Sequence, residues 1–202
     1  MYLSQLVLDL MNKKTMRALS DVYALHQLVM MGFSDYDKSP RVLFRVEPDM
    51  KGSAVKILVQ SDVQPFWRTE NAEKSRNIRV QVKEFEPAFK NGSAYRFRLR
   101  ANPVVTKDGK RRGLIRDEAL IEWLKNKETR LGAAIRSVVA VDEGYSTGLR
   151  KKGEQTDRIN IKLVRFEGVL EVEDSDLLRE SIRNGIGPAK AFGCGLLSLA
   201  RA

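Results

Sequence analysis

The sequence predicts an α+β fold in two similar halves, each an antiparallel sheet with helices on one face. Three observations carry this. Apolar runs of strand length recur along the 202 residues, and stretches with helical apolar spacing fall between them. The order of these elements in the first half returns in the second. The length allows two domains of roughly 100 residues, each able to bury a core. With 43% apolar and 31% charged residues, the chain reads as globular rather than disordered.

Tyr2–Leu10 is an apolar run with the length of a buried strand. Thr15–Met31 is expected to form one helix, with Ala18, Val22, Leu25 and Val29 on one face and Gly32 at its C-terminal cap. Val42–Val46 and Ala54–Gln60 read as strands around a turn-like Asp49-Met50-Lys51-Gly52. A weak linking segment, Glu70–Ser75, precedes a strand at Ile78–Val82. Tyr95–Arg100 alternates strictly, with Tyr, Phe and Leu on one face and three arginines on the other; Asn102-Pro103 ends it. A basic loop is expected up to Leu114. Arg116–Glu128 reads as a helix with Leu120, Ile121 and Leu124 inward, and Ser137–Val141 as a strand. Asp157–Glu173 is a long strand-like region. Asp174–Asn184 is a short helix capped by Asp174 or Ser175 and stopped by Gly185, and Gly195–Ala200 is a closing strand. Strand, helix, two strands, helix, strand is the order of a ferredoxin-like (RRM-like) unit, so two such units in tandem are expected. The domains fall at 1–88 and 93–202, with the boundary near Pro87–Gly92.

Composition narrows the function. No stretch approaches the ~20 apolar residues of a membrane span, and the N-terminal run has Asp9 inside it and no basic leader, a poor signal peptide. A single cysteine, Cys194, excludes an internal disulfide and a cysteine-based zinc site, and a single histidine, His26, excludes a histidine-rich metal site. No Asp/Glu pair stands in a convincing metal motif. A cytoplasmic protein with neither metal nor small-molecule cofactor is expected.

The net charge of +10 points to a polyanionic partner, nucleic acid before a membrane surface or an acidic protein. The excess is local. Arg96, Arg98, Arg100, Lys107, Lys110, Arg111, Arg112 and Arg116 stand against Asp108 alone. Arg150, Lys151, Lys152, Arg158, Lys162 and Arg165 stand against Glu154 and Asp157. Such clusters make phosphate binding strong and salt-dependent. The second surrounds Gly153-Glu154 and suits a basic β-hairpin entering an RNA groove, or else a solvated loop.

His26 follows Tyr23 by three residues, so on a helix the two side chains are neighbours at the flank of the apolar stripe. An imidazole exchanges a proton near neutral pH and a phenol donates or positions. The pair suits RNA cleavage by the substrate's own 2′-hydroxyl; a histidine packed at a helix edge is the other reading. Gly185–Gly195 is glycine-dense. Gly187, Gly193 and Gly195 with Lys190 suit a phosphate-approaching backbone, or a tight helix-to-strand connection needing positive φ. The segment lacks the Gly-Lys-Ser/Thr end of a P-loop. In Phe66-Trp67-Arg68 a packed aromatic is favoured over a base-stacking one.

Taken together, six stretches closely resemble the CasE (Cse3) family, the CRISPR RNA-processing endoribonucleases of the type I-E Cascade complex. They are Met1-Tyr2-Leu3-Ser4, Tyr23-Ala24-Leu25-His26-Gln27, Phe44-Arg45-Val46-Glu47, Tyr95 to Pro103, Phe166-Glu167-Gly168-Val169-Leu170, and Gly185-Ile186-Gly187-Pro188-Ala189-Lys190 running on through Gly193 to Leu199. The resemblance implies two ferredoxin-like domains and binding of the stem-loop in each CRISPR repeat. It implies metal-independent cutting at the 3′ base of the stem, leaving a 5′-hydroxyl and a 2′,3′-cyclic phosphate, with the product retained and the protein kept as a Cascade subunit. His26 and Tyr23 match the family's helix histidine and its companion tyrosine. Arg98, Arg100, Lys107, Lys110, Arg111, Arg112, Arg116, Arg150, Lys151, Lys152, Arg158, Gly187, Lys190, Gly193 and Gly195 are the expected RNA contacts. The alternative is a non-cleaving RNA-binding scaffold of the same fold, and only the Tyr23–His26 pair separates the two.

Overall fold

The structure is a computed structural model describing residues 1–48, 52–67 and 78–202, without the side chain of Lys152. The expected turn at Asp49–Lys51, the linking segment Glu70–Ser75 and Arg68 lie outside the described residues. The chain divides into two compact units. The first comprises Met1–Glu86, Ser146–Asn160 and Ala191–Gly193; the second comprises Pro87–Tyr145, Ile161–Lys190 and Cys194–Ala202.

In the first unit, β1 (Tyr2–Asp9) buries Ser4, Leu6 and Leu8 on one face, the period of two that a pleated strand imposes. It is one of the two inner strands of a sheet ordered β2-β3-β1-β4, with β2 at Val42–Val46, β3 at Ala54–Ser61 and β4 at Ile78–Glu84. Its pairings are antiparallel: Leu6 faces Ile57 on one side and Val80 on the other. Leu6, Leu8, Val55, Ile57 and Val59 pack with Leu25, Val29 and Phe33 into one core. Each such side chain contributes ~1.5–3 kcal/mol on burial.

The single helix expected over Thr15–Met31 is two helices, α1 (Lys13–Ser20) and α2 (Val22–Met30). The break is Asp21, whose extended backbone (φ −136°) and carboxylate cap the second helix. Asn12 caps the first in the same way, accepting from the amides of Lys14 and Thr15. Gly32 is not a helix cap. It lies in a 3₁₀ turn, Met31–Phe33, and a Cβ there would collide with the Trp67 indole. Trp67 packs edge-on to Phe33 and donates its indole N–H to the Val29 carbonyl, so it is a packed aromatic, while Phe66 is exposed.

The second unit has the sheet order β10-β5-β9-β8, which read in reverse is second, third, first and last, as in the first unit. Its strands are β5 (Ala94–Ala101), β8 (Ala133–Lys152), β9 (Gln155–Val172) and β10 (Leu197–Arg201). Both sheets thus have the ferredoxin-like order. Phe97, Leu99, Phe166 and Leu170 line the core with Leu120 and Leu124 of α3 (Asp117–Lys125) and Leu178 and Ile182 of α5 (Ser175–Asn184). The expected helix Arg116–Glu128 stops at Lys125, and a single turn, α4 (Glu128–Leu131), follows, ending at Gly132 (φ 71°). The closing strand starts at Leu197 rather than Gly195. Asp174 caps α5 as expected, and Gly185 (φ 72°) follows its end.

The expected basic loop between Asn102 and Leu114 is instead a two-stranded hairpin, β6 (Val104–Lys107) against β7 (Lys110–Gly113). Its two-residue turn, Asp108-Gly109, has φ of 52° and 70°. Those angles suit the right-handed twist of a tight hairpin. No helix of the described residues is long and apolar enough to cross a membrane.

Candidate active site and nucleic-acid interface

Tyr23 and His26 lie one turn apart on α2, both half-buried. Val22, Leu25 and Val29 of the same helix are buried, and this stripe fixes how far the two rings are turned toward solvent. The ring centroids of Tyr23 and His26 are 6.2 Å apart, tilted by 33°. A second aromatic, Phe192, stands edge-on to His26 with centroids 6.0 Å apart. Burial pushes the His26 imidazole below its ordinary pKa of 6.5, and a hydrogen bond with the backbone of Ala191 only partly opposes this. The ring is therefore neutral at neutral pH and has one edge already engaged.

Phe192 comes from the glycine-dense segment, which sequence reasoning singled out for its glycines and lysine alone. Lys190–Phe192 forms a 3₁₀ turn. Gly193 follows with φ 81°, and a Cβ there would stand 3.1 Å from the Phe44 ring. Only a glycine lets the backbone turn against Phe44 at that distance, which sets Phe192 beside His26. An aromatic just before a glycine pair was the available signal for it.

The third segment at this site is the far end of the β8–β9 pair. Gly148 is buried, and a Cβ on it would come within 2.7 Å of Asp21 Oδ1 and 2.9 Å of the Tyr23 nitrogen. The Leu149 amide donates to Asp21 Oδ2 at 3.1 Å. The strands then run out to a turn at Gly153 (φ 61°), where Arg150, Lys151 and Arg158 are exposed. Two further basic residues of this cluster, Lys162 and Arg165, are turned inward. Lys162 is buried, paired with Asp142, and has its ammonium 4.8 Å from the Tyr145 ring centre.

In the second unit, Lys107, Lys110, Arg111 and Arg112 are exposed on the β6–β7 hairpin, and Arg116 is exposed just before α3. Gly113 rests against Lys162; a Cβ there would be 2.9 Å from the lysine Cβ. Arg98 and Arg100 are placed differently. Arg98 pairs with Glu167 at 2.7 Å and Arg100 with Glu143 at 2.6 Å. Arg165 bridges both carboxylates. Burial alone would raise Glu167, but Arg165 and Arg98 outweigh it and hold it below the ordinary carboxylate value. Two of the three arginines on this face of β5, Arg98 and Arg100, are therefore tied to carboxylates that they share with Arg165, while Arg96 is exposed.

Gly187 (φ 78°) sits against Trp123, and Lys190 is half-buried in a groove of about 650 Å³ that Lys127 and Arg130 also line. Gly195 (φ 89°) is buried. Its amide donates to the Arg100 carbonyl at 2.7 Å, and its carbonyl accepts from Ile186. Burial pushes the neighbouring Cys194 thiol up to about 12, so it holds no thiolate at neutral pH. Among the described residues, no three His, Cys, Asp or Glu side chains gather closely enough to hold a metal ion.

Comparison with known proteins bears on this arrangement. A family model described as CRISPR associated protein matches residues 1–201. The chain is 32% identical over 212 residues, covering 99% of itself and 100% of the relative, to the CRISPR-associated endoribonuclease Cse3 of Thermus thermophilus. It is 34% identical over 220 residues, covering 99% of each, to the CRISPR system Cascade subunit CasE of Escherichia coli. It is also similar to a solved structure of the CRISPR endoribonuclease Cse3 bound to a 19-nucleotide RNA, with a TM-score of 0.85, 31% identity, and coverage of 99% of this chain and 100% of that one. Sequence identity, coverage and backbone similarity agree across these comparisons, and the chain belongs to the CRISPR-associated CasE (Cse3) family.

Proposed function

We propose that the protein is an endoribonuclease that binds the stem-loop of the repeat in precursor CRISPR RNA and cuts at the 3′ base of the stem. Cleavage is metal-independent and leaves a 5′-hydroxyl and a 2′,3′-cyclic phosphate. The protein stays on its product as a Cascade subunit in the cytoplasm. The single observation that carries this reading is the Tyr23–His26 pair, half-buried at the flank of α2 and bounded by Phe192 and the glycine-dense turn. Kinship with relatives named as an endoribonuclease and as a Cascade subunit supports the substrate and the assembly.

The chemistry follows from the groups available. The 2′-oxygen attacks the adjacent phosphorus, the 2′-O–P bond forms, and the bond from phosphorus to the 5′-oxygen breaks. A proton must leave the 2′-hydroxyl and another must reach the departing 5′-oxygen. A neutral His26 takes the first; the Tyr23 phenol delivers the second, or else holds the phosphate while the imidazolium formed at His26 delivers it. The exposed residues Lys107, Lys110, Arg111, Arg112 and Arg116 hold the stem through its phosphates. The hairpin arm with Arg150, Lys151, Lys152 and Arg158 meets the stem where the groove opens at its foot. The catalytic helix belongs to a first domain over 1–88 and the β6–β7 hairpin to a second domain over 93–202, while the arm over Ser146–Asn160, although within 93–202 in the sequence, is part of the first compact unit.

The test is incubation of the purified protein with repeat RNA in excess EDTA, followed by end-group analysis. One cut yielding a cyclic phosphate is expected. Tight binding without cleavage would leave a scaffold, and hydrolytic ends would remove the 2′-hydroxyl mechanism.

A further inference from the structure

The Asp21 carboxylate is hydrogen-bonded to both the catalytic helix and the basic hairpin arm. Its Oδ1 accepts from the amides of Tyr23 at 2.7 Å and Ala24 at 3.0 Å, which starts α2. Its Oδ2 accepts from the amide of Leu149 at 3.1 Å. Gly148, beside that bond, lacks the Cβ that would push the strand off Asp21 and the Tyr23 amide. Asp21 and Leu149 are 128 residues apart in sequence. Asn12 starts α1 by accepting from the amides of Lys14 and Thr15, its only side-chain bonds among the described residues.

We propose that Asp21 is a positioning residue for RNA cleavage: it fixes the Gly148–Leu149 end of the hairpin arm to the N-terminus of α2, so that RNA gripped by the arm meets Tyr23 and His26 in register. This rests on the reading of the protein as a ribonuclease. The two oxygens have separable duties, one holding the helix and the other holding the arm. Burial alone would raise the carboxyl, but the bonds from Ala24, Leu149 and Tyr23 outweigh it and keep it ionised. The aspartate therefore acts as a fixed acceptor and exchanges no proton during the reaction.

Two substitutions cut the link from opposite sides. Asp21→Asn keeps one carbonyl oxygen, and asparagine caps a helix as well as aspartate does. Its amide nitrogen cannot accept from Leu149, so the helix start remains and the tie to the arm is lost. Gly148→Ala leaves the carboxylate and forces the arm away. A displacement of about 1 Å in a reacting geometry costs roughly 10²-fold in rate. Each variant is therefore expected to cleave repeat RNA roughly 10- to 100-fold more slowly in single-turnover reactions at saturating enzyme. The RNA dissociation constant should stay within a few-fold and the pH profile should keep its shape. The double variant should be no slower than the slower single one, because both break the same contact. At saturating enzyme the rate constant does not depend on how much protein is folded, so lost stability alone would not produce this result.

The inference is overturned if Asp21→Asn cleaves at the wild-type rate. It is also overturned if that variant loses only affinity, or if the two substitutions slow the reaction additively. Wild-type protein and His26→Ala are run alongside. If wild type binds the RNA and does not cut it, the ribonuclease reading itself has failed; if wild type cuts and Asp21→Asn cuts equally, only the positioning role has.

Discussion

The imidazole of His26 lies edge-on to the phenyl ring of Phe192, with 6.0 Å between ring centres. The two residues are 166 positions apart in the chain, and the turn that joins them depends on Gly193. An apolar edge against an imidazole removes water from one side of it and disfavours the charged form. His26 is the only histidine, so its titration can be followed as a single imidazole signal by NMR. The expected midpoint lies below the ordinary 6.5, and Phe192→Ala should move it upward. Between the two midpoints the unfolded chain binds a proton that the folded chain does not, so acid favours unfolding there. The stability tied to this ring is complete above about 6.5 and is lost as the pH falls through the folded midpoint. His26→Ala should remove that part of the dependence of Tm on pH.

His26→Ala should abolish cleavage at a cost of ~10²–10⁴-fold and leave RNA affinity nearly intact, because one neutral ring among 36 lysines and arginines carries little of the binding. Tyr23→Phe should cost less, since the ring and its place on α2 are kept. Single-turnover rates alongside dissociation constants make the comparison. A tyrosine variant as inert as the histidine variant would make the phenol the proton donor to the 5′-oxygen. Full activity in His26→Ala would overturn the assignment of the site.

An RNA carrying a 2′-deoxy sugar just 5′ of the cut should bind and remain whole. The nucleophile in the proposed reaction belongs to the substrate, and the protein supplies only proton transfer and position. Cleavage of that RNA, read on a denaturing gel, would require an attacking water and would remove the cyclic phosphate from the products.

The sequence exposed local geometry well and long-range partnership poorly. Tyr23 and His26 share a helix, so a spacing of three places them side by side without any tertiary knowledge. The strict alternation of Tyr95–Arg100 marked β5 and its arginine face. What pairs with Arg100 and Arg98 on that face, Glu143 and Glu167, lies 43 and 69 residues away from them, where no local pattern reaches. The same holds for Phe192 beside His26 and for Leu149 on Asp21. Two local signals were present and outweighed. Asp108-Gly109 is a strong hairpin turn, masked by the run of charges around it. Asp21 is a good helix start, hidden inside an apolar periodicity that continues across the break.

The exposed basic residues should separate into clamps and readers. Replacing Lys110, Arg111 and Arg112 by alanine should weaken binding to every stem-loop, cognate or not. Each lost phosphate contact should flatten the plot of log affinity against log salt by roughly 0.7–0.9, so affinities across a salt series give the number of contacts removed. Phosphate contacts carry no sequence information, and relative preference among stems should be unchanged.

Arg158 should behave otherwise. It lies on β9 in the return limb of the hairpin arm, exposed, and two residues before Asn160, where the strand begins to turn its side chains inward at Ile161. That base is firmer than the one beneath Arg150, which stands nearer the turn on the other strand. The deep, narrow groove of A-form RNA hides base edges except where the helix ends. An arginine arriving there reaches a guanine edge with two parallel bonds, worth ~1–3 kcal/mol of discrimination. Arg158→Ala should therefore reduce the preference for the cognate base pair at the foot of the stem by a factor on the order of 10 to 100. The non-cognate stem should lose far less. The measurement is binding of wild type and variant to the cognate stem and to one with its terminal pair exchanged. Equal weakening of both RNAs would make Arg158 another phosphate clamp, and would move the reading of sequence to Lys151 or Lys152 on the opposite limb.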